Sequence, residues 1–320
     1  MIFPTILRNT LGTIGFPFTI WNLAMDRKNR VEPPGQIIKT KNADIHAIVT
    51  GEGPITVILE AGFSSVSIDW CYVQPEISKV ARVISFDRGN FGWSRTRRKT
   101  MTSLDSVEEI REVLAHLNIK PPYILVGHSY GGLSMRLFAS MYPDEVAGLV
   151  LEDAVHESQY VITLENKKRI RKFRRLVAMG YVTSLVGIPR MFKQKIGRKF
   201  LEKKYDRSLN YIGYTLGAYQ SAYREYLDSE KSAKQLINAH PLRKNLPVIV
   251  ISAKKQPGSW KQQQQLLLNL TKTTEHIEAD TGHSVHLENP GIVIDNIKKL
   301  IKVNQEGKTA LYKKTERIIN

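Results

Sequence analysis

Gly127-His128-Ser129-Tyr130-Gly131-Gly132 is the stretch that decides the fold. The apolar run Tyr123–Val126 precedes it, and Gly132–Met141 follows with helical character. The serine therefore sits where a buried strand turns sharply into a helix. Small residues two places on either side relieve the crowding of such a turn, and the hydroxyl then projects above the sheet. Ser129 is thus a candidate nucleophile. It needs a base to take its proton and an acid to orient that base.

The same rhythm extends in both directions. Asp44–Val49, Ile55–Glu60, Val80–Phe86 and Val146–Leu151 read as strands. Ser103–Leu117 reads as a helix, with Ser106 to Glu109 resembling a capping box. After a long gap the alternation resumes with strand Leu246–Ser252, helix Trp260–Leu270, strand Thr274–Glu278 and helix Ile292–Val303. Strands alternating with helices at this spacing predict βαβ units and a parallel sheet. The gap, 156–245, shows no apolar strand and reads as helical. The expected organisation is an N-terminal apolar segment and linker (1–35), an α/β core (36–155 and 246–305), a helical basic lid (156–245) and a polar tail (306–320).

In this architecture the base follows the last strand. Thr281-Gly282-His283-Ser284 lies there, and Gly282 lets the chain turn beside His283. His283 is the expected base, with His286 as the alternative. One expected place for the acid is the loop after Leu246–Ser252, but Ala253-Lys254-Lys255-Gln256-Pro257-Gly258-Ser259-Trp260 contains no carboxylate. The end of the preceding strand offers Glu152-Asp153. Neighbours on a strand point to opposite faces, so only one of the two can serve. Asp153 is the expected acid and Glu152 the alternative. An oxyanion needs two backbone N–H donors. The expected donors are Tyr130, directly after the nucleophile, and Phe63, in the turn after the strand ending at Glu60.

Together with Asp87-Arg88-Gly89-Asn90-Phe91-Gly92-Trp93-Ser94 and Gly282-His283, the serine motif resembles the α/β-hydrolase superfamily over roughly residues 40–155 and 246–303. The resemblance implies a mostly parallel eight-stranded sheet flanked by helices, with the lid inserted after strand 6. It also implies a Ser–acid–His triad, here Ser129, Asp153 and His283, with an acid after the sixth strand as a known variant. Asp87–Ser94 matches a segment that is structural in the family. The implied activity is that of a serine esterase or lipase working through an acyl-enzyme, without cofactor or metal. Amide, thioester or carbon–carbon hydrolysis, a haloperoxidase side activity, and a ligand-binding receptor on the same framework are the alternatives.

Composition narrows the partners. The chain has 320 residues, 42% of them hydrophobic and 24% charged, which excludes a disordered or polytopic membrane protein. The one cysteine excludes an intramolecular disulfide, and no Cys/His cluster has zinc spacing. Lys+Arg number 47 against 30 Asp+Glu, a net charge of +17. Between Lys167 and Arg207 stand 15 Lys/Arg and two acids, Glu202 and Asp206, so this short segment holds +13 of the excess. Phe192, Ile196 and Phe200 recur at helical spacing within Arg190–Arg207, a basic amphipathic pattern that suits an anionic membrane surface or a solvated face. Asn9–Met25 carries no charge over 17 residues but includes Pro17 and two glycines. It could be a poor signal-anchor, an interfacial helix or an uncleaved leader. The expectation is a membrane-associated and otherwise cytoplasmic enzyme acting on a small or lipid-like ester, with no nucleic-acid partner.

Overall fold

The computed structural model describes residues 2–192 and 200–319, with side chains through Glu306. Eight strands form one continuous sheet. In chain order they are β1 (Gln36–Lys39), β2 (Ala43–Thr50), β3 (Thr56–Glu60), β4 (Arg82–Phe86), β6 (Tyr123–His128), β7 (Val146–Glu152), β8 (Val248–Ala253) and β9 (Thr274–Ala279); the two-residue β5 (Arg95–Thr96) pairs with β2 outside that path. The order across the sheet is β1-β2-β4-β3-β6-β7-β8-β9. β2 runs antiparallel to both neighbours on the path, and every pair from β4 to β9 is parallel.

The central strands are continuous apolar runs because both faces are covered. Alternate residues serve opposite cores. Leu125, Leu149 and Val250 face one layer, with Val107, Ile110 and Phe138 from helices. Ile124, Val150 and Ile251 face the other, with Val293, Ile297 and Leu300. The first layer is built by α4 (Ser103–His116) and α5 (Gly131–Met141), the second by α3 (Gln74–Ile77) and α12 (Pro290–Ile319). α4 begins one step earlier in its capping logic than the sequence suggested. Its cap is Thr102, whose hydroxyl accepts from the Asp105 N–H while Asp105 reaches back, so the box is Thr102–Asp105 and not Ser106–Glu109.

Between β7 and β8 the chain forms α6 (Lys167–Ser184), α7 (Ile188–Met191), α8 (Asp206–Ile212) and α9 (Leu216–Ile237). Among the described residues, Arg190–Arg207 is not one helix. α7 stops at Met191, and a short 3-10 turn at Lys203–Tyr205 leads into α8. Pro189 at the start of α7 sets a fresh helix there, while Glu202, extended at the other end, breaks the period. Ile196 lies outside the described residues. The polar tail is also part of a helix, since α12 runs on to Ile319.

The N-terminal segment forms two helices, α1 (Ile2–Ile14) and α2 (Phe16–Lys28), divided at Gly15. No helix among the described residues is long and apolar enough to cross a membrane. Helices α10 (Gly258–Leu267) and α11 (Val285–Glu288) complete the set.

Candidate active site

All the proposed site residues sit at the carboxyl ends of the parallel strands, where ligands bind in open α/β sheets. Ser129 follows β6 directly and has φ +50°, in the left-handed region. A non-glycine residue there costs of order 1–3 kcal/mol and is held only by its surroundings. The surroundings are tight. A Cβ on Gly127 would come within 2.7 Å of the Gly131 carbonyl and Gly132 Cα, and one on Gly131 within 2.5 Å of the Glu60 carbonyl. The two glycines let the turn fold onto itself and onto β3. The Ser129 N–H donates to the Glu152 carbonyl, and the Ser129 carbonyl accepts from Val155 N, so the elbow is tied to the end of β7 and to the chain just beyond it.

The Ser129 hydroxyl lies 2.9 Å from His283 Nε2. On the far side of the ring, Nδ1–H donates to Asp153 Oδ2 at 2.6 Å. Asp153 is fully buried, and its other oxygen accepts from Ala253 N at 3.1 Å and Trp260 Nε1 at 3.0 Å. The three residues named from the sequence are therefore brought together within hydrogen-bonding reach.

The two alternatives meet each other instead. Glu152 Oε1 accepts from both the backbone N–H of His286 and its ring Nδ1–H, at 2.8 and 2.6 Å. Asp153, with φ +38°, has left the strand conformation and faces His283, while Glu152, still on β7, points beneath. This buried pair fastens the loop carrying His283 to the strand end carrying Asp153. His128 Nε2–H adds a bond to the His283 carbonyl at 3.1 Å. Burial holds the His128 imidazole well below its usual pKa, so it is neutral. His128, Glu152 and His286 also bring one potential ligand atom each within 4.8 Å of one another, the one group among the described residues with metal-binding spacing. Glu152 and His286 are already bonded to each other in it.

Phe63 and Tyr130 flank the serine. Tyr130 opens α5, and the Gly62–Phe63 turn passes so close that a Cβ on Gly62 would lie 3.0 Å from Ser129 Cβ. The turn is gripped by Arg88, which donates to the Ala61 carbonyl at 2.5 Å, the Gly62 carbonyl at 2.7 Å and Glu225 Oε1 at 2.8 Å. Glu225, from α9, also accepts from Ser64 N. Glu60 stands 3.6 Å from Arg88 on the other side. One buried cation lies between two buried carboxylates, and burial pushes the Glu60 carboxyl up to about 7.

Sequence reasoning missed Arg88, Glu225 and Trp260 as parts of this site. Arg88 lies in Asp87–Ser94, a segment that the resemblance marks as structural, and Trp260 closes a loop without a carboxylate. Glu225 had no local signal, because its partner is 137 residues away.

Above Ser129 and His283 opens a cavity of about 310 Å³. Its wall is aromatic: the Phe63 ring meets Phe173 and Tyr226 edge-on at 6.0 and 6.1 Å, and Tyr160 and Trp260 extend it. Asp69 and Arg169 also border it.

The model of the α/β-hydrolase fold family matches residues 55–290, and the chain belongs to that family. Among its relatives is the uncharacterized protein YqjL of Bacillus subtilis (strain 168), 23% identical over 250 residues, 76% of this chain and 82% of YqjL. Similar solved structures include a thermophilic esterase from Thermogutta terrifontis, at 20% identity and TM-score 0.62, covering 84% of this chain and 98% of that one. A putative epoxide hydrolase from Pseudomonas aeruginosa superposes at 18% identity and TM-score 0.69, covering 86% and 99%. At these identities the structures speak for the fold alone.

Proposed function

We propose that the chain is a serine hydrolase that cleaves carboxylic esters with an apolar acyl group. The observation that carries this reading is the unbroken line Ser129 Oγ, His283 Nε2, His283 Nδ1 and Asp153 Oδ2, with bonds of 2.9 and 2.6 Å. Ser129 attacks the acyl carbonyl as His283 takes its proton at Nε2. Asp153 keeps the Nδ1 proton in place and stabilises the imidazolium. The N–H groups of Phe63 and Tyr130 receive the oxyanion. The alcohol leaves with the proton from His283, and a water activated by the same nitrogen releases the acid.

The nucleophile's identity separates this from the epoxide and halide chemistry on similar folds. A serine that opened an epoxide would be left as an ether, which water does not readily cleave. A serine that takes an acyl group is left as an ester, which the same His283 can hydrolyse. The aromatic cavity, of the size that ligand sites occupy, suits an apolar acyl chain.

The test is Ser129→Ala. Loss of p-nitrophenyl ester turnover together with loss of fluorophosphonate labelling is expected. Undiminished turnover would sink the mechanism. Labelling of the wild-type chain without turnover of any ester in a graded acyl series would favour a ligand-binding receptor.

A further inference from the structure

The N-terminal helices are inside out. Soluble surface helices bury an apolar stripe and expose polar residues. Here several polar residues face the body of the protein, while Asn9, Thr10 and Thr13 of α1 are exposed. Thr5 and Arg8 bond the Tyr181 hydroxyl, with Arg8 Nη1 at 2.8 Å. Asn22 is buried and donates to the Ser184 and Leu185 carbonyls at 3.0 and 3.3 Å. Arg190 pairs with Asp26. Glycine lets the helices seat closely, since a Cβ on Gly12 would meet Leu185 Cδ2 at 2.4 Å. The face turned outward carries Phe3, Ile6, Ile14, Phe16, Phe18 and Leu23, exposed by 45–79%.

The helix that receives them exposes apolar side chains as well. α1 packs against α6, and α6 turns Leu176 (55% exposed) and Met179 (57%) outward. The preceding turns of α6 hold Lys168, Arg171, Lys172 and Arg175, all exposed. Arg27 and Lys28 end α2 and are exposed as well. Apolar side chains bordered by lysine and arginine are what an interfacial element presents to a bilayer with anionic headgroups. Exposed apolar side chains gathered on one element and rimmed by polar ones mark interaction sites more often than scattered ones do. α6 also reaches the active-site cavity through Arg169 and Phe173.

We propose that the outward faces of α1, α2 and α6 form a docking surface for an anionic lipid bilayer, with the helices lying in its interface. Two helices of 13 residues each fit this role, and neither is long enough to cross. The inference does not depend on the reaction assigned to Ser129.

The experiment is co-sedimentation of the full chain with phosphatidylcholine vesicles, with and without phosphatidylglycerol. Binding is expected to require phosphatidylglycerol and to weaken as salt rises from about 0.1 to about 1 M, where the Debye length shrinks from about 10 Å to about 3 Å. Ile6→Asp/Phe18→Asp should weaken binding by more than about tenfold, since each substitution replaces apolar surface buried in the bilayer with a charge that must stay in water. Phe3→Ser/Ile14→Ser, a milder change, should weaken it in the same direction. Both variants should keep the wild-type melting temperature and their turnover of a water-soluble short ester. No binding by the wild-type chain, or binding untouched by both variants, would overturn the proposal. So would a concentration-dependent dimer that the variants dissolve, because a second copy would then be the occupant.

Discussion

Trp260 donates its indole N–H to Asp153 at 3.0 Å while its ring stands edge-on to the His283 imidazole, with centroids 5.1 Å apart. One side chain therefore restrains both partners of the serine. Trp260→Phe keeps an aromatic ring and removes the donor. A hydrogen bond to a charged group is worth roughly 1.5–3 kcal/mol, so kcat for a short ester should fall roughly tenfold to a hundredfold with KM little changed. Steady-state kinetics decide it, and an unchanged kcat would show that Ala253 N alone holds the carboxylate.

Asp153 and Glu152 are neighbours with separate tasks. Asp153→Asn should lower kcat by about 10⁴-fold, because the amide no longer fixes the imidazole tautomer. Glu152→Gln removes the charge that accepts two donors from His286. It should cost about 1–3 kcal/mol of stability, and its activity per folded molecule should stay far above that of Asp153→Asn. Thermal melts beside active-site titration separate the two. Equal kinetic losses would return Glu152 to contention as the acid.

The buried Glu60 carboxyl, at about 7 in the folded chain against an ordinary 4.5, makes stability pH-dependent. A raised pKa means the folded state binds more protons than the unfolded one between these values. Its contribution is full below about pH 4.5 and is lost as pH rises through about 7. His128, depressed by burial, has the opposite sign over part of this range, so the readout must be a difference. Glu60→Gln mimics the protonated form. Its melting temperature relative to wild type should rise from pH 4.5 to about 7 and then level off, and a difference flat throughout would refute the assignment.

Phe173 closes the cavity against Phe63 and Tyr226, 6.0 and 4.9 Å between centroids. Phe173→Ala should lower kcat/KM for a longer acyl ester about tenfold more than for acetate, the scale on which an apolar pocket discriminates. Parallel losses across a graded p-nitrophenyl series would mean that the acyl chain lies elsewhere.

Much of this was legible in the chain itself. The parallel core announced itself through period and punctuation, since strands buried on both faces must be apolar throughout. Ser129 and His283 were legible because glycines mark the sharp turns that present them. The position of Asp153 beside His283 was legible only by elimination, from a loop without a carboxylate beside a Glu-Asp pair. What the sequence could not carry was pairing at a distance. Nothing near Glu225 points to Arg88, and nothing near Glu152 points to His286, because those bonds exist only once the fold has brought separate helices and strand ends together. The outward turn of the N-terminal apolar residues was equally hidden. Which face of a helix meets the body depends on what that body offers, here the Tyr181 hydroxyl and the Ser184 and Leu185 carbonyls.

The grip of α9 on the core constrains how such enzymes can diversify. Besides Glu225 on Arg88, this helix offers Ser232 to the Tyr130 hydroxyl and Ser103 N, Asp228 to Met101 N, and Ser221 to the Asn90 carbonyl. A segment that looks like an interchangeable cover is also scaffolding for the turn beside Ser129. Grafting a foreign cover here to change substrate preference would disarm the enzyme unless the graft supplied its own carboxylate for Arg88.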